Sequence, residues 1–336
     1  MKDYSFLAES VCNLNVGGKM RDYLIRGLSN DISIRFFIAV TTEMTEEARR
    51  IHNTSPAVTV AMGKFLAISA IMGNNLKSEN DKLTLQIKGD GPIKEIVAIA
   101  DSKGNIKAFP GNPDAMVGKN HKVMVTEKED GTQESVMKSE YSMKSLIGKE
   151  GMLTVIKDFG LKEPYVGKVP LADGSIAGDF MAYFAVSEQI PTFINLETVL
   201  DDDGHVIASG GYMLQVMPGA GDEEISTIEK NLGKGIELAP YFLQGKTPEQ
   251  IAEIIMNGLE YKIALKAELR YLCGCDRERM ARMLIGTGVD ELKSMIREQG
   301  SAEVHCHFCN TKHGFSKKEL TDFVKIAEAN SRNALQ

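Results

Sequence analysis

The side chains in this 336-residue chain best suited to chemistry are four cysteines near its C-terminus. "YLCGCDRERM" carries Cys273 and Cys275, and "EVHCHFCNTKHGF" carries Cys306 and Cys309, so a C-x-C pair is followed, after a long spacer, by C-x-x-C. Four thiolates in two close pairs suit the tetrahedral, sulfur-preferring Zn²⁺ ion, whose structural sites are commonly all-cysteine. The first pair is tighter than the usual spacing, but Gly274 removes the side chain that would crowd such a turn. His305, His307 and His313 are alternative ligands; with four thiols at hand they read as surface or supporting residues. The fifth cysteine, Cys12, stands alone, and five in total are too few for a disulfide scaffold.

Asp276 opens "DRERMARMLIGTG", a helix that places Cys275 just before its N-terminus, where the backbone dipole lowers a thiol pKa. Arg277 and Arg279 add positive charge. Three readings remain open on these residues. A permanent structural zinc would glue a small module together. A thioredoxin-type oxidoreductase would need its C-x-x-C to open a helix, whereas here the chain turns and the next helix begins at "SKKELTDF", with Ser316 and Glu319 as a capping box. A redox switch would exchange the metal for small, easily reduced disulfides. A module of about 60 residues that loses its zinc has little core to spare and should unfold.

The elements that must position this centre read as α+β. "ISIRFFIAV" puts Ile32, Ile34, Phe36, Ile38 and Val40 on one face of a half-buried strand, and "KLTLQIKG" does the same with Leu83, Leu85 and Ile87. "IKEIVAIAD", "SKGN" and "IKAF" give a β-meander. An acid-capped helix is expected from Thr45. A long apolar helix follows, with Ser55 as its cap and Pro56 at its first position. Two strands joined by "DDDG" end at "GGYMLQVMPG". The composition then turns charged and helical through "AGDEEISTIEKNLGKG" and "TPEQIAEIIMNGL", where Thr247 and Gln250 form a capping box, before the strand-like "KIALKAELRYL".

Hydrophobic residues at 43% and charged residues at 25% describe a folded globular chain rather than a disordered one. The net charge of -7 disfavours a nucleic-acid partner, because the basic "RERMARM" is short and carries an acid. Pro56–Gly73 is the most apolar stretch but includes Lys64 and falls short of the ~20 apolar residues of a membrane span, so a buried core helix is expected instead. No secretory signal is visible, which points to the cytoplasm. Gly17-Gly18-Lys19 can be encoded by GGAGGTAAA, a ribosome-binding-like stretch before Met20, so residues 1–19 are either a mis-called start or a short extension carrying Cys12 as a free thiol. No phosphate loop, nucleophile–base pair or carboxylate pair stands out, and His52 and His205 read as a helix-end and a hairpin residue. Seventeen methionines and no tryptophan would suit an adaptable binding surface, though filling the core is the simpler role.

The chain resembles the redox-regulated holdase chaperones of the thirty-three-kilodalton heat-shock family from about Met20 onward. The resemblance is carried by C-x-C followed by "DRER", by "EVHCHFCNTKHGFS", by "ELKSMIREQG" between them, and by "GDGPI", "SEQIPT" and "GGYMLQVMPG" in the core. His313 departs from it, standing where an aromatic tyrosine is expected. The resemblance implies an ATP-independent, non-enzymatic chaperone that is inactive while Cys273, Cys275, Cys306 and Cys309 hold one Zn²⁺ per chain. It implies that oxidation joins Cys273 to Cys275 and Cys306 to Cys309, expels zinc, and lets the protein hold unfolded client proteins as a homodimer. Residues 20–220 become an α+β core, 221–272 a metastable helical linker, and 273–336 the zinc-binding switch. The alternatives are an interaction protein with permanent zinc and a thiol–disulfide oxidoreductase.

Overall fold

The alternating apolar residues near the N-terminus pair as β1 (Tyr23–Ser29) and β2 (Ile34–Val40), antiparallel, with Tyr23 opposite Val40. The structure, a computed structural model, describes residues 21–127, 133–233 and 236–333. The expected start at Met20 and the thiol of Cys12 lie outside them. Ile32, expected on the buried face of β2, instead sits in the preceding turn with φ 66° and 59% exposure. Nor is β2 half-buried. Phe37 and Ala39 are as deeply buried as Ile34, Phe36 and Ile38, because the sheet is covered on both faces.

Helix α1 (Thr42–His52) starts before the expected Thr45, and the reason lies far away in sequence. The Glu43 and Met44 N–H groups donate to the two carboxylate oxygens of Asp22, at 3.0 and 2.7 Å, so a buried acid from the approach to β1 caps the helix. Burial pushes this carboxyl up to about 7, against the lowering effect of the Met44 and Glu43 donors. The folded protein therefore holds a proton that the unfolded chain, with an ordinary value of 3.8, releases. Stability from this group is full below about pH 4 and is lost as pH rises to about 7. Asp22→Asn can offer only one oxygen to the two donors. It is expected to cost about 1–2 kcal/mol and to flatten the stability profile between pH 4 and 7, as read by urea unfolding across that range.

Helix α2 (Pro56–Asn74) opens as expected, the Val58 N–H donating to Ser55 Oγ at 3.3 Å. It is long and apolar enough to cross a membrane, yet 89% of its most apolar window is buried within the protein. Strands β3 (Lys82–Gly89), β4 (Glu95–Asp101) and β5 (Asn105–Pro110) form the expected meander, with Leu83, Leu85 and Ile87 buried. There follow the hairpin of β6 (Lys119–Glu127) and β7 (Gln133–Tyr141), α3 (Met143–Ile147), β8 (Gly151–Asp158) and β9 (Tyr165–Pro170). Helix α4 (Ala177–Tyr183) runs into a π-helical turn, Phe184–Glu188, before β10 (Thr192–Leu200) and β11 (Val206–Val216).

The helical stretch comprises α5 (Asp222–Leu232), α6 (Ala239–Leu243) and α7 (Pro248–Ile255); α6 was not expected from the sequence. Strands β12 (Tyr261–Glu268) and β13 (Arg270–Tyr271) complete this unit. Among the described residues, one sheet has the order β10-β11-β2-β1-β12 and another β13-β5-β4-β3-β8-β9. Helix α2 lies between them in the main core, with Phe65, Leu66 and Ile68 buried alongside Leu85, Ile96 and Met213. The other face of the first sheet carries Ile25, Phe36, Ile38 and Leu214, covered by Ile228, Leu232, Phe242, Ile251 and Ile255 of α5–α7. Met44, Met62, Met72, Met213 and Met256 serve as core filling.

The chain divides between Leu272 and Cys273 into two compact units. The second contains α8 (Arg277–Gly286), α9 (Val289–Glu298), the hairpin β14 (Ser301–His305) and β15 (Lys312–Ser316), and α10 (Lys317–Asn333). Its own small core holds Met280, Leu284, Leu292, Phe315, Leu320 and Val324.

Candidate metal centre

Each cysteine pair is placed by a local backbone device. Asp276 caps α8, the Arg279 N–H donating to its carboxylate at 2.6 Å, so Cys273 and Cys275 occupy the short approach to that helix. Cys306 and Cys309 sit in the tip of the β14–β15 hairpin. There the Cys306 N–H donates to Thr311 O at 3.0 Å and the Asn310 N–H to Cys306 O at 2.9 Å. Asn310, at φ 55°, makes the left-handed step that closes the turn. The capping box opening α10 is present, with the Ser316 N–H donating to Glu319 at 2.9 Å.

These devices bring all four Sγ atoms within 4.8 Å of one another. Cys273 Sγ lies 3.7 Å from Cys306 Sγ, and Cys275 Sγ 3.1 Å from Cys309 Sγ, so the nearest neighbours come from opposite pairs. Zinc–sulfur bonds of about 2.3 Å place the corners of a thiolate tetrahedron about 3.8 Å apart, which this spread fits. Cys306 is buried and the others are half-buried.

Protons are unequally held. Burial, reinforced by the sulfurs of Cys309, Cys306 and Cys273, pushes the Cys275 thiol well above its ordinary range. This direction is opposite to the lowering expected from the helix N-terminus. Burial also opposes ionisation of Cys309, but hydrogen bonding with Thr311, whose Oγ1 is 3.2 Å away, and with Cys275 brings it down to about 7. Thr311 was not singled out in the sequence; its only signal was a hydroxyl two residues after the last cysteine. The Arg277 guanidinium donates to Glu319 at 2.7 Å and stacks 4.5 Å from the Phe315 ring, tying α8 to α10. His313 Nε2 stands 3.9 Å from Cys275 Sγ, while His305 Nε2 is 3.1 Å from Asn310 O. Away from the centre, His52 is a buried helix-end residue near Ala108 O, and His205 Nδ1 lies 2.8 Å from the Arg49 guanidinium.

A mixed sheet-and-helix body followed by a small hairpin-and-helix unit with four converging thiols defines a two-unit α+β protein with a candidate all-cysteine metal centre. The Hsp33 protein family model matches residues 22–316, and the chain belongs to that family of chaperones. It is 41% identical over 310 residues to a 33 kDa chaperonin of Acetivibrio thermocellus, covering 92% of this chain and 99% of the relative. A 33 kDa chaperonin of Clostridioides difficile is 40% identical, covering 91% and 99%. The crystal structure of the 33 kDa chaperonin from Thermotoga maritima superposes with a TM-score of 0.77 at 32% identity, covering 91% of this chain and 98% of that one.

Proposed function

We propose that this chain is a redox-regulated, ATP-independent holdase whose four cysteines bind one Zn²⁺ per chain in the reduced state. The observation that carries the reading is the convergence of four sulfurs in a unit with a small core of its own. Bound there, zinc would supply cross-linking of the hairpin tip to the approach of α8. Cys273, Cys275, Cys306 and Cys309 are its ligands, and the thiols are also the oxidant's targets. Each equivalent of peroxide takes two electrons from one cysteine pair; its O–O bond breaks to give two waters, with protons from the thiols or solvent, and one S–S bond forms. Two equivalents convert the set to Cys273–Cys275 and Cys306–Cys309. Thiols so joined no longer hold a metal, and the C-terminal unit unfolds.

Residues 221–272 form the metastable linker. Helices α5, α6 and α7 are short, so they owe their stability to packing on the apolar sheet face rather than to intrinsic helicity. When they leave, that face becomes available to unfolded clients in the cytoplasm, and the active form is a homodimer. The close Cys273–Cys306 and Cys275–Cys309 contacts favour a second reading, in which cross-paired disulfides would staple the unit instead of releasing it. Treating zinc-loaded protein with peroxide at raised temperature tests the proposal. Zinc release, within-pair disulfides by peptide mapping and suppression of client aggregation are expected together. Zinc release with cross-paired disulfides and no holdase activity would favour the stapled unit, and retention of zinc with no holdase activity would leave a permanent structural centre as the better account.

A further inference from the structure

Strand β13 is the last element before Cys273, and it adds to the β5 edge of its sheet in parallel, whereas the other pairings of that sheet are antiparallel. The Arg270 N–H donates to Gly104 O and the Leu272 N–H to Ile106 O, each at 2.8 Å. The Tyr271 hydroxyl donates to Ala108 O at 2.7 Å. His52 Nε2 stands 2.9 Å from that carbonyl and 3.2 Å from the Tyr271 hydroxyl. Leu269 is buried in the main core, with Tyr271 packed against it. Gly104, at φ +80°, admits the segment: a Cβ there would lie 2.1 Å from Glu268 O. The edge of β5 is thus built to receive an extended Leu-x-Tyr segment, and its present occupant shows what chemistry it accepts.

We propose that when the C-terminal unit unfolds, β13 peels from β5 and the vacated edge takes an extended, aromatic-bearing segment of an unfolded polypeptide in its place. The inference rests on the redox reading above for the release, and adds a second binding element distinct from the face beneath α5–α7. While Cys273 is held, the strand is fixed by β12 before it and the centre after it, and a client cannot compete with a segment already in place. With Cys273 free, a two-residue strand held at one end frays readily. The exposed β5 edge then offers main-chain groups to any sequence, as strand addition requires, while the Ala108–His52 corner and the Leu269 pocket favour a Leu-x-aromatic pattern.

The test uses a fluorescein-labelled peptide of residues 266–272, KAELRYL, with the full-length protein before and after activation by peroxide and heat. Saturable binding is expected only after activation, weakened about three- to tenfold by Tyr271→Phe in the peptide and more than about tenfold by Tyr271→Ala. A benzophenone in place of the tyrosine ring should cross-link to residues 105–110 or to the end of α1. Cross-links confined to other elements, equal binding before activation, or binding indifferent to the tyrosine would overturn the inference. Aggregation suppression without peptide binding would overturn it and leave the holdase reading standing. Failure of peroxide to elicit either activity would sink both.

Discussion

In the reduced protein, Cys275→Ser is expected to weaken zinc binding by about a hundredfold or more and to unfold the C-terminal unit while the body of the first unit, α2 with strands β1–β5, stays folded. Serine keeps the volume but offers zinc a hydroxyl in place of a thiolate, a far poorer ligand for this ion. The unit has little to fall back on. Helices α8 and α9 have ten residues each and β14 and β15 five each, lengths that are marginal in isolation; α10 is longer at 17 residues, and among the described residues the apolar core is one small cluster. Structural zinc supplies on the order of 10 kcal/mol in small domains, more than such a core can replace. Limited trypsin digestion should cut at Arg277, Arg279, Arg282 and Lys293 in the variant, while α2 and the inner strands β1, β2, β3, β4 and β11 keep their hydrogen-exchange protection. One residue is placed to spoil the outcome: His313 Nε2, 3.9 Å from Cys275 Sγ, is positioned to give a three-cysteine, one-histidine site. If the variant keeps one zinc and resists trypsin, Cys275→Ser with His313→Ala should lose both. Retention in the double variant would exclude Cys275 as a required ligand.

The cysteine centre was legible because its signal is local: residue type and spacing suffice when a short turn carries each pair. Helix starts marked by their own neighbours, at Ser55, Thr247, Asp276 and Ser316, were legible for the same reason. What failed were features set by distant chain. Asp22 caps α1 across an intervening hairpin, so nothing near Thr42 announces the start. Alternation in β2 predicted one wet face, but Phe37 and Ala39 are buried because α1 and α2 lie on one side of the sheet and α5–α7 on the other. Helix α6 is five residues long, too short for a period to register. The thiol protons followed burial and neighbouring sulfurs, which spacing alone does not encode.

Ile255→Ala is expected to separate the linker from the switch. Ile255 and Ile251 are fully buried beneath α7, whose eight residues are held by a capping box, the Thr247 N–H donating to Gln250 Oε1 at 2.9 Å, and by packing on the sheet. Loss of a buried isoleucine side chain costs about 2–5 kcal/mol. That is borne by a layer of three short helices, which cannot recover it from helicity. The sheet keeps its other face in the main core, so the expected response is local: α5–α7 undock while β1, β2 and β11 remain paired. Hydrogen exchange should then quicken in residues 222–259 of the reduced protein with zinc still bound. Aggregation of an unfolding client should be partly suppressed without any oxidant, through exposed Ile25, Phe36, Ile38 and Leu214. Glu253→Ala, on the exposed side of α7, serves as a control and should change stability by no more than about 0.5 kcal/mol. Undocking without holdase activity would move the client site off this face, and would make the β5 edge, which α5–α7 do not cover, the next surface to test.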